Sequence, residues 1–260
     1  MESGFNKINQ GFVGRYGGFD TKFAGLNSPP QFLYPLENLV VDLDAVALDL
    51  SNGDPVASFN STYSPTTSSQ GSAGARPTFS STGSLNGAPS LEFYGNDWLD
   101  GGADSAWIPA SGDFTFYSLM RSYTPGSLQS LLAQYTAVGG NRRFFVVINS
   151  DTYRVSFQDP STAISASVTS DWALHCLTRD GDNIALYQDD MTSVVDSDTY
   201  DQAILQTGNL IGANSANSVY NGSPSNFLSG SVSLILIYDA VHTEAQRQQV
   251  RAYAQQIYGF

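Results

Sequence analysis

Phe227-Leu228-Ser229-Gly230-Ser231-Val232-Ser233-Leu234-Ile235-Leu236-Ile237-Tyr238-Asp239 decides the fold, together with residues 243–258 that follow it. The first run ends in apolar side chains on both faces, the mark of a strand buried on both sides. The second reads as one helix. Thr243 stands where an N-cap hydroxyl accepts from the third backbone N–H, Gln246 stands three residues on to return the bond, and Glu244 favours the positive end. Val250, Tyr253, Ala254 and Ile257 recur at helical spacing, and Gly259 supplies a left-handed C-terminal position. Such a helix docks its apolar stripe against a sheet, and none of its residues suggests catalysis.

Upstream the chain is strand after strand. Residues 40–45, 55–59, 90–93, 114–120, 131–135, 144–148, 153–157, 164–168, 172–178, 184–188 and 210–211 alternate or run apolar between turn residues. Phe114-Thr115-Phe116-Tyr117-Ser118-Leu119 is apolar on both faces, as a central strand would be. Asp180-Gly181 marks a hairpin. Trp172, Leu174 and Cys176 share one face, opposite Ala173, His175 and Leu177. The polar run 60–75 reads as a long loop. The expected class is all-β, a two-sheet antiparallel sandwich with one C-terminal helix.

Composition limits the partners. A chain of 260 residues with 41% apolar and 12% aromatic content buries a substantial core, and 24 Gly with 11 Pro favour strands and turns. A net charge of −13 repels phosphate backbones, so nucleic acid is not an expected partner. Cys176 is the only cysteine, which rules out an internal disulfide and a thiolate metal site, and it reads as a buried hydrophobe. Residues 1–30 lack the pattern of a secretion signal and no apolar run is long enough to span a membrane, so no membrane is expected. The sequons at Asn60 and Asn221 are then expected to be chance.

The opening residues differ from the rest. Phe5, Phe12, Tyr16, Phe19, Phe23, Phe32 and Tyr34 are spread among glycines, with Lys7, Arg15 and Lys22 against Glu2 and Asp20. That segment carries +1 while the remainder carries −14. Its aromatics follow no helical or strand period, and its glycines discourage order in isolation. Residues 1–38 are therefore expected to be an extended arm, with Phe5, Phe12, Arg15, Tyr16, Phe19 and Phe23 anchoring it on a partner surface. Pro29, Pro30 and Pro35 mark its end, and residues 39–260 form the body.

A set of motifs in order carries a resemblance: Leu43-Asp44-Ala45, Gly53-Asp54-Pro55-Val56-Ala57, Arg76-Pro77-Thr78, Leu85-Asn86-Gly87-Ala88-Pro89-Ser90-Leu91-Glu92-Phe93 and Asp97-Trp98-Leu99. Phe114-Thr115-Phe116, Trp172-Ala173-Leu174, the 227–232 run and the final strand and helix continue it. Together, over about residues 40–260, they resemble the laminin-G-like, concanavalin-A-like jelly-roll domains of bacterial surface proteins and tailed phages. The resemblance implies a jelly roll that displays a binding face. Two departures stand out: Asp189-Asp190-Met191 replaces the usual Asn-Gly or Asp-Gly hairpin, and Tyr94 replaces an acidic residue after the Phe93 strand. Both put inherited calcium or sugar contacts at that edge in question.

Catalysis finds little support. Retaining glycoside hydrolysis uses two carboxylates on alternate strand positions, yet the four Glu, at 2, 37, 92 and 244, form no such pattern, and Glu92 sits between apolar and aromatic neighbours. His175 and His242 meet no nucleophile elbow, and no phosphate-cradling glycine loop occurs. Calcium would find oxygens at Asp97, Asp100 and Asp104, or at Asp180, Asp182 and Asn183, and a solvated acidic loop explains the same residues. Sugar binding needs an exposed ring beside hydrogen-bonding groups, which nominates Tyr94, Trp98, Trp107, Asn214, Asn217 and Tyr220. The expectation is a non-enzymatic, multi-copy phage virion protein, in capsid decoration or at the tail. Its arm would hold other virion proteins, and its lectin-like body would touch host-surface glycans once lysis exposes the particle. A bacterial carbohydrate-binding or adhesion module is the alternative, and a glycoside hydrolase the third reading.

Overall fold

Strands β1 (Leu39–Asp44), β2 (Ser58–Asn60), β3 (Thr67–Ser69), β4 (Thr78–Ser80), β5 (Ser90–Tyr94) and β6 (Leu99–Asp100) open the computed structural model. It describes residues 34–61, 66–102, 107–109, 112–135, 144–157, 162–204, 208–215 and 224–260. Next come β7 (Phe114–Ser122), β8 (Gln129–Tyr135), β9 (Phe144–Asn149), β10 (Thr152–Phe157), β11 (Thr162–Ser167) and β12 (Ala173–Asp180). The last are β13 (Asn183–Gln188), β14 (Val194–Thr199), β15 (Gly208–Ile211), β16 (Asn214–Ser215), β17 (Pro224–Ser225) and β18 (Ser229–Tyr238), then helix α1 (Glu244–Tyr258). The expected arm, with Phe5, Phe12, Arg15, Tyr16, Phe19 and Phe23, lies outside the described residues apart from positions 34–38.

Two eight-stranded antiparallel sheets form among the described residues. The first runs β14-β13-β12-β7-β18-β5-β4, with β1 pairing the far half of β18; the second runs β11-β10-β9-β8-β15-β6-β3-β2. This is the two-sheet jelly-roll sandwich with one C-terminal helix that the strand pattern implied. Strand β7 lies between β12 and β18, as its two-sided apolar sequence required. The 60–75 run, expected as loop, contains β3, whose Ser68 is buried; polar residues in a short strand next to the sheet edge carry no hydrophobic alternation to reveal it.

The first sheet is covered on both faces. Toward the second sheet it contributes Phe93, Phe114, Phe116, Leu177, Ile235 and Ile237 to the sandwich core. Away from it, Tyr117, Leu119, Leu174, Cys176, Leu234, Leu236 and Tyr238 pack under Val250, Tyr253, Ala254 and Tyr258 of α1. His175 and Cys176 do point to opposite sides: the imidazole stacks on Tyr153 of the second sheet at 3.7 Å, while the thiol is under the helix, where burial pushes it up to about 12.

Helix α1 begins with the expected capping box. Thr243 N–H donates to Gln246 Oε1 at 2.9 Å, and Gln246 N–H donates to Thr243 Oγ1 at 3.4 Å. Gly259 ends it at φ 73°. The turn at Asn86 meets that end, its backbone N–H and side-chain amide donating to the carbonyls of Tyr258, Gln256 and Ile257, which the helix leaves unpaired. Asp189 and Met191 adopt φ of 56° and 59°, the altered hairpin geometry that the absence of a turn glycine demanded. That turn is a dock for α1: Arg251, Gln248 and Arg247 donate to the carbonyls of Asp189, Asp190 and Met191.

Tyr34, counted with the arm by sequence, is buried in the layer beneath α1. Its ring meets Tyr253 edge-on at 4.9 Å and its hydroxyl donates to Asp42 Oδ2 at 3.2 Å.

Candidate functional site

Strand β18 changes phase at Ser233. Val232 pairs with Met120 and Leu234 with Leu119, so one extra residue is accommodated between them. The bulge turns Leu234 outward beneath the helix, whereas Ser231, on the near side of it, faces the half of the sheet away from the helix residues. Neighbouring strands present Thr78 and Ser80 from β4, Ser90, Glu92 and Tyr94 from β5, and Arg121 from β7. An open cleft of about 560 Å³ lies here, lined by Asn52, Gly53, Thr78, Ser80, Thr82, Gly83, Glu92, Tyr94 and Arg121.

Glu92 is the centre of the arrangement. Ser90 Oγ donates to its Oε1 at 2.5 Å, Ser231 Oγ donates to its Oε2 at 2.8 Å, and the Tyr123 hydroxyl donates to Oε2 as well. Arg121 Nε donates to Ser231 Oγ at 3.1 Å, and its Nη2 to the Tyr123 hydroxyl at 3.4 Å. The guanidinium lies over two rings, 5.1 Å from the centroid of Tyr123 and 5.3 Å from that of Trp172. Gly83 lets the carboxylate sit this close to the backbone: a Cβ there would fall 1.8 Å from Ser90 Oγ and 2.8 Å from Glu92 Oε1. Glu92 is thus surrounded by hydroxyls, correcting the expectation of apolar company. Leu91 and Phe93, its sequence neighbours, point into the core on the other face.

Among the nominated sugar-binding residues, Tyr94 lines the cleft with 62% of its surface exposed. Trp98 is half-buried after β5, its backbone paired to Ala75 and its carbonyl to Gln70, and it does not line the cleft. Trp107 is a correction: it is 1% exposed in the sandwich core, where Gly101 leaves room for its ring. Asn214 is half-buried in the small β16–β17 pair, and Asn217 and Tyr220 lie outside the described residues. Trp172 is in the layer beneath the helix, as its alternation indicated.

The acidic positions are occupied with local work. Asp97 Oδ2 accepts the Tyr94 N–H at 2.7 Å, and burial raises its carboxyl above the ordinary value. Asp100 Oδ1 accepts from Gly102 N–H, and Asn183 donates to the Asp180 carbonyl across the hairpin that also contains Asp182. Asp104 is outside the described residues. Among the described residues no group of three or more His, Cys, Asp or Glu side chains converges as metal ligation requires.

No family model matches the sequence, and no curated protein matches it as a relative. The fold does match solved structures. Trypanosoma rangeli sialidase in complex with 2,3-difluoro-KDN aligns with a TM-score of 0.58 at 13% identity, over 86% of this chain and 34% of that one. A structure of NanB with Optactamide aligns at 0.50 and 16% identity, over 61% and 27%. The Ruminococcus gnavus IT-sialidase CBM40 bound to α2,3-sialyllactose aligns at 0.49 and 14%, over 62% and 96%. The chain spans about a third of the length of the first and about a quarter of the second.

Proposed function

We propose that this chain is a non-enzymatic carbohydrate-binding jelly roll, that its glycan lies in the Glu92–Tyr94–Arg121 cleft, and that it serves as a multi-copy virion component. The binding part rests on one observation: the exposed ring of Tyr94 lines the same open cleft as the hydroxyls of Thr78, Ser80 and Thr82 and the amide of Asn52. A pyranose has an apolar C–H face and a rim of hydroxyls, and it is matched by a ring beside polar groups that cannot rotate away. Proteins of similar fold in complex with sugar-acid compounds, as the T. rangeli sialidase is, are compatible with that reading.

The carboxylate of the cleft weighs against catalysis. Among the described residues Glu92 is the one carboxylate lining the cleft, and both of its oxygens are engaged by hydroxyl donors, whereas most glycosidases use two carboxyl groups flanking the bond. The virion setting rests on the resemblance of residues 40–260 to jelly rolls of tailed phages and on the aromatic, weakly cationic leader. Residues 1–38 would fasten it to capsid or tail proteins, and repeated copies would raise weak sugar contacts to useful avidity.

A glycan array probed with the full chain tests the binding. At least one sugar class is expected to bind, with affinity falling about tenfold or more in Tyr94→Ala, the loss of one stacked ring. An empty array, or a Tyr94→Ala protein that binds as well as the parent, would end this reading. Turnover of a bound polysaccharide that stops in Glu92→Gln would overturn the non-enzymatic assignment. Immuno-electron microscopy of the source culture places the chain: label on phage particles supports the virion setting, and label on intact cells without particles supports an adhesion module.

A further inference from the structure

Arg121 has more donors than the protein uses. Nε serves Ser231 and one Nη2 hydrogen serves Tyr123, while Nη1 makes no hydrogen bond among the described residues. Nor is the guanidinium ion-paired there: the neighbouring carboxylate, Glu92, is reached only through the hydroxyls of Ser231 and Tyr123. It is half-exposed, lines the cleft, and lies over the rings of Tyr123 and Trp172. A solvated surface arginine samples many rotamers, whereas this one is fixed in advance with an unused edge.

We infer that the cleft selects glycans bearing a carboxylate, with the free edge of Arg121 receiving the carboxylate while Tyr94 and the hydroxyl floor hold the ring. This deepens the proposed function and rests on it. The planar fork of a guanidinium matches a carboxylate with two parallel N–H···O bonds, and such charge-assisted bonds are roughly twice as strong as neutral ones. Glu92 is a positioning residue here. Three hydroxyls disperse its charge, and through Ser231 and Tyr123 it fixes the orientation of Arg121 without neutralising it directly. The overall charge of −13 repels acidic polymers in general, which makes this fixed cation a discriminating feature.

Calorimetry on the full chain tests it with two pairs of probes: oligogalacturonate against its fully methyl-esterified form, and α2,3-sialyllactose against lactose. Esterification removes the charge and leaves the sugar ring intact, so no variant is needed for the first comparison. The acid forms are expected to bind at least about tenfold tighter than their neutral partners. Arg121→Gln should erase that ratio, and Arg121→Lys, which keeps the charge but not the fork, should restore only part of it. Acid and neutral forms binding alike, or sulfated sugars of the same backbone binding better than carboxylated ones, would overturn the inference while leaving sugar binding intact. Binding of none of the probes, with an empty array, would overturn both.

Discussion

His175 is wholly buried between the sheets, stacked on Tyr153 with planes 1° apart, and neither ring nitrogen has a hydrogen-bond partner. Burial alone lowers its imidazole to about 3 from 6.5. The folded state therefore holds it neutral, and its contribution to stability is present above pH 6.5 and drains away as pH falls toward 3, by about 1.4 kcal/mol per pH unit. Replacing it by Phe keeps the stack and removes two orphaned polar atoms. His175→Phe is expected to match or exceed the parent's stability at pH 7, by up to about 1 kcal/mol. Its denaturant-unfolding free energy should also fall less steeply between pH 6.5 and 4; parallel curves for the two proteins would show that His175 is not the acid-sensitive group. Single residues were also where the site was hardest to read. Glu92 looked apolar because Leu91 and Phe93 flank it in sequence, yet a strand sends those two to the opposite face. The period of two that placed Trp172, Leu174 and Cys176 correctly also puts Ser90, Glu92 and Tyr94 on one face. Their partners Arg121, Tyr123 and Ser231 come from positions about 30 to 140 residues away, which no local pattern links. Trp107 misled for the reverse reason: it lies in no strand, and only Gly101 shows that its ring has a place in the core.

At the scale of elements, α1 is fastened by polar clasps at both ends of an apolar contact. Arg247 is buried, donates to the carbonyls of Met191 and His242, and lies 4.0 Å over the Tyr187 ring. Toward the other end, the hydroxyls of Tyr253 and Tyr258 both donate to the carboxylate of Asp44 on β1. Burial raises that carboxyl to about 6 despite these bonds, with neighbouring Asp42 adding a smaller push in the same direction. A raised carboxyl favours the folded state most below about pH 3.8 and loses that contribution as pH climbs through 6, so ionised Asp44 costs about 3 kcal/mol at pH 7. Asn at this position has no charge to bury. The stability of Asp44→Asn relative to the parent should therefore improve by about 3 kcal/mol between pH 3.5 and pH 7 in matched urea titrations; a constant difference would mean that Asp44 is not protonated within that window. The helix, its capping box and the strand before it were legible because each is specified by residues within four positions of one another. Strands β3, β6 and β14 were not, since they are short or polar and are held by pairing rather than by a buried face.

For the whole molecule, the bulge at Ser233 divides the first sheet into two jobs: the far half of β18 supports the helix, and the near half, through Ser231, holds Glu92 and Arg121 of the cleft. Anchoring on a partner, expected of residues 1–38, would be a third job, and its residues before Tyr34 lie outside the described residues. Tyr34 itself is 4% exposed and ties the start of the body to Asp42 and Tyr253. Two truncations separate these roles. A protein beginning at Tyr34 is expected to unfold at the parent's denaturant midpoint and to keep its Tyr94-dependent sugar binding while no longer joining particles. One beginning at Leu39 loses the buried ring and its hydrogen bond, and should be less stable by about 3 kcal/mol. If deleting residues 1–33 alone lowers the midpoint as far as deleting 1–38 does, those residues belong to the stability of the sandwich, and anchoring on a foreign surface is the wrong role for them. If the protein beginning at Tyr34 still incorporates at full occupancy, the attachment lies on the body, and the faces of the second sheet become the place to search for it.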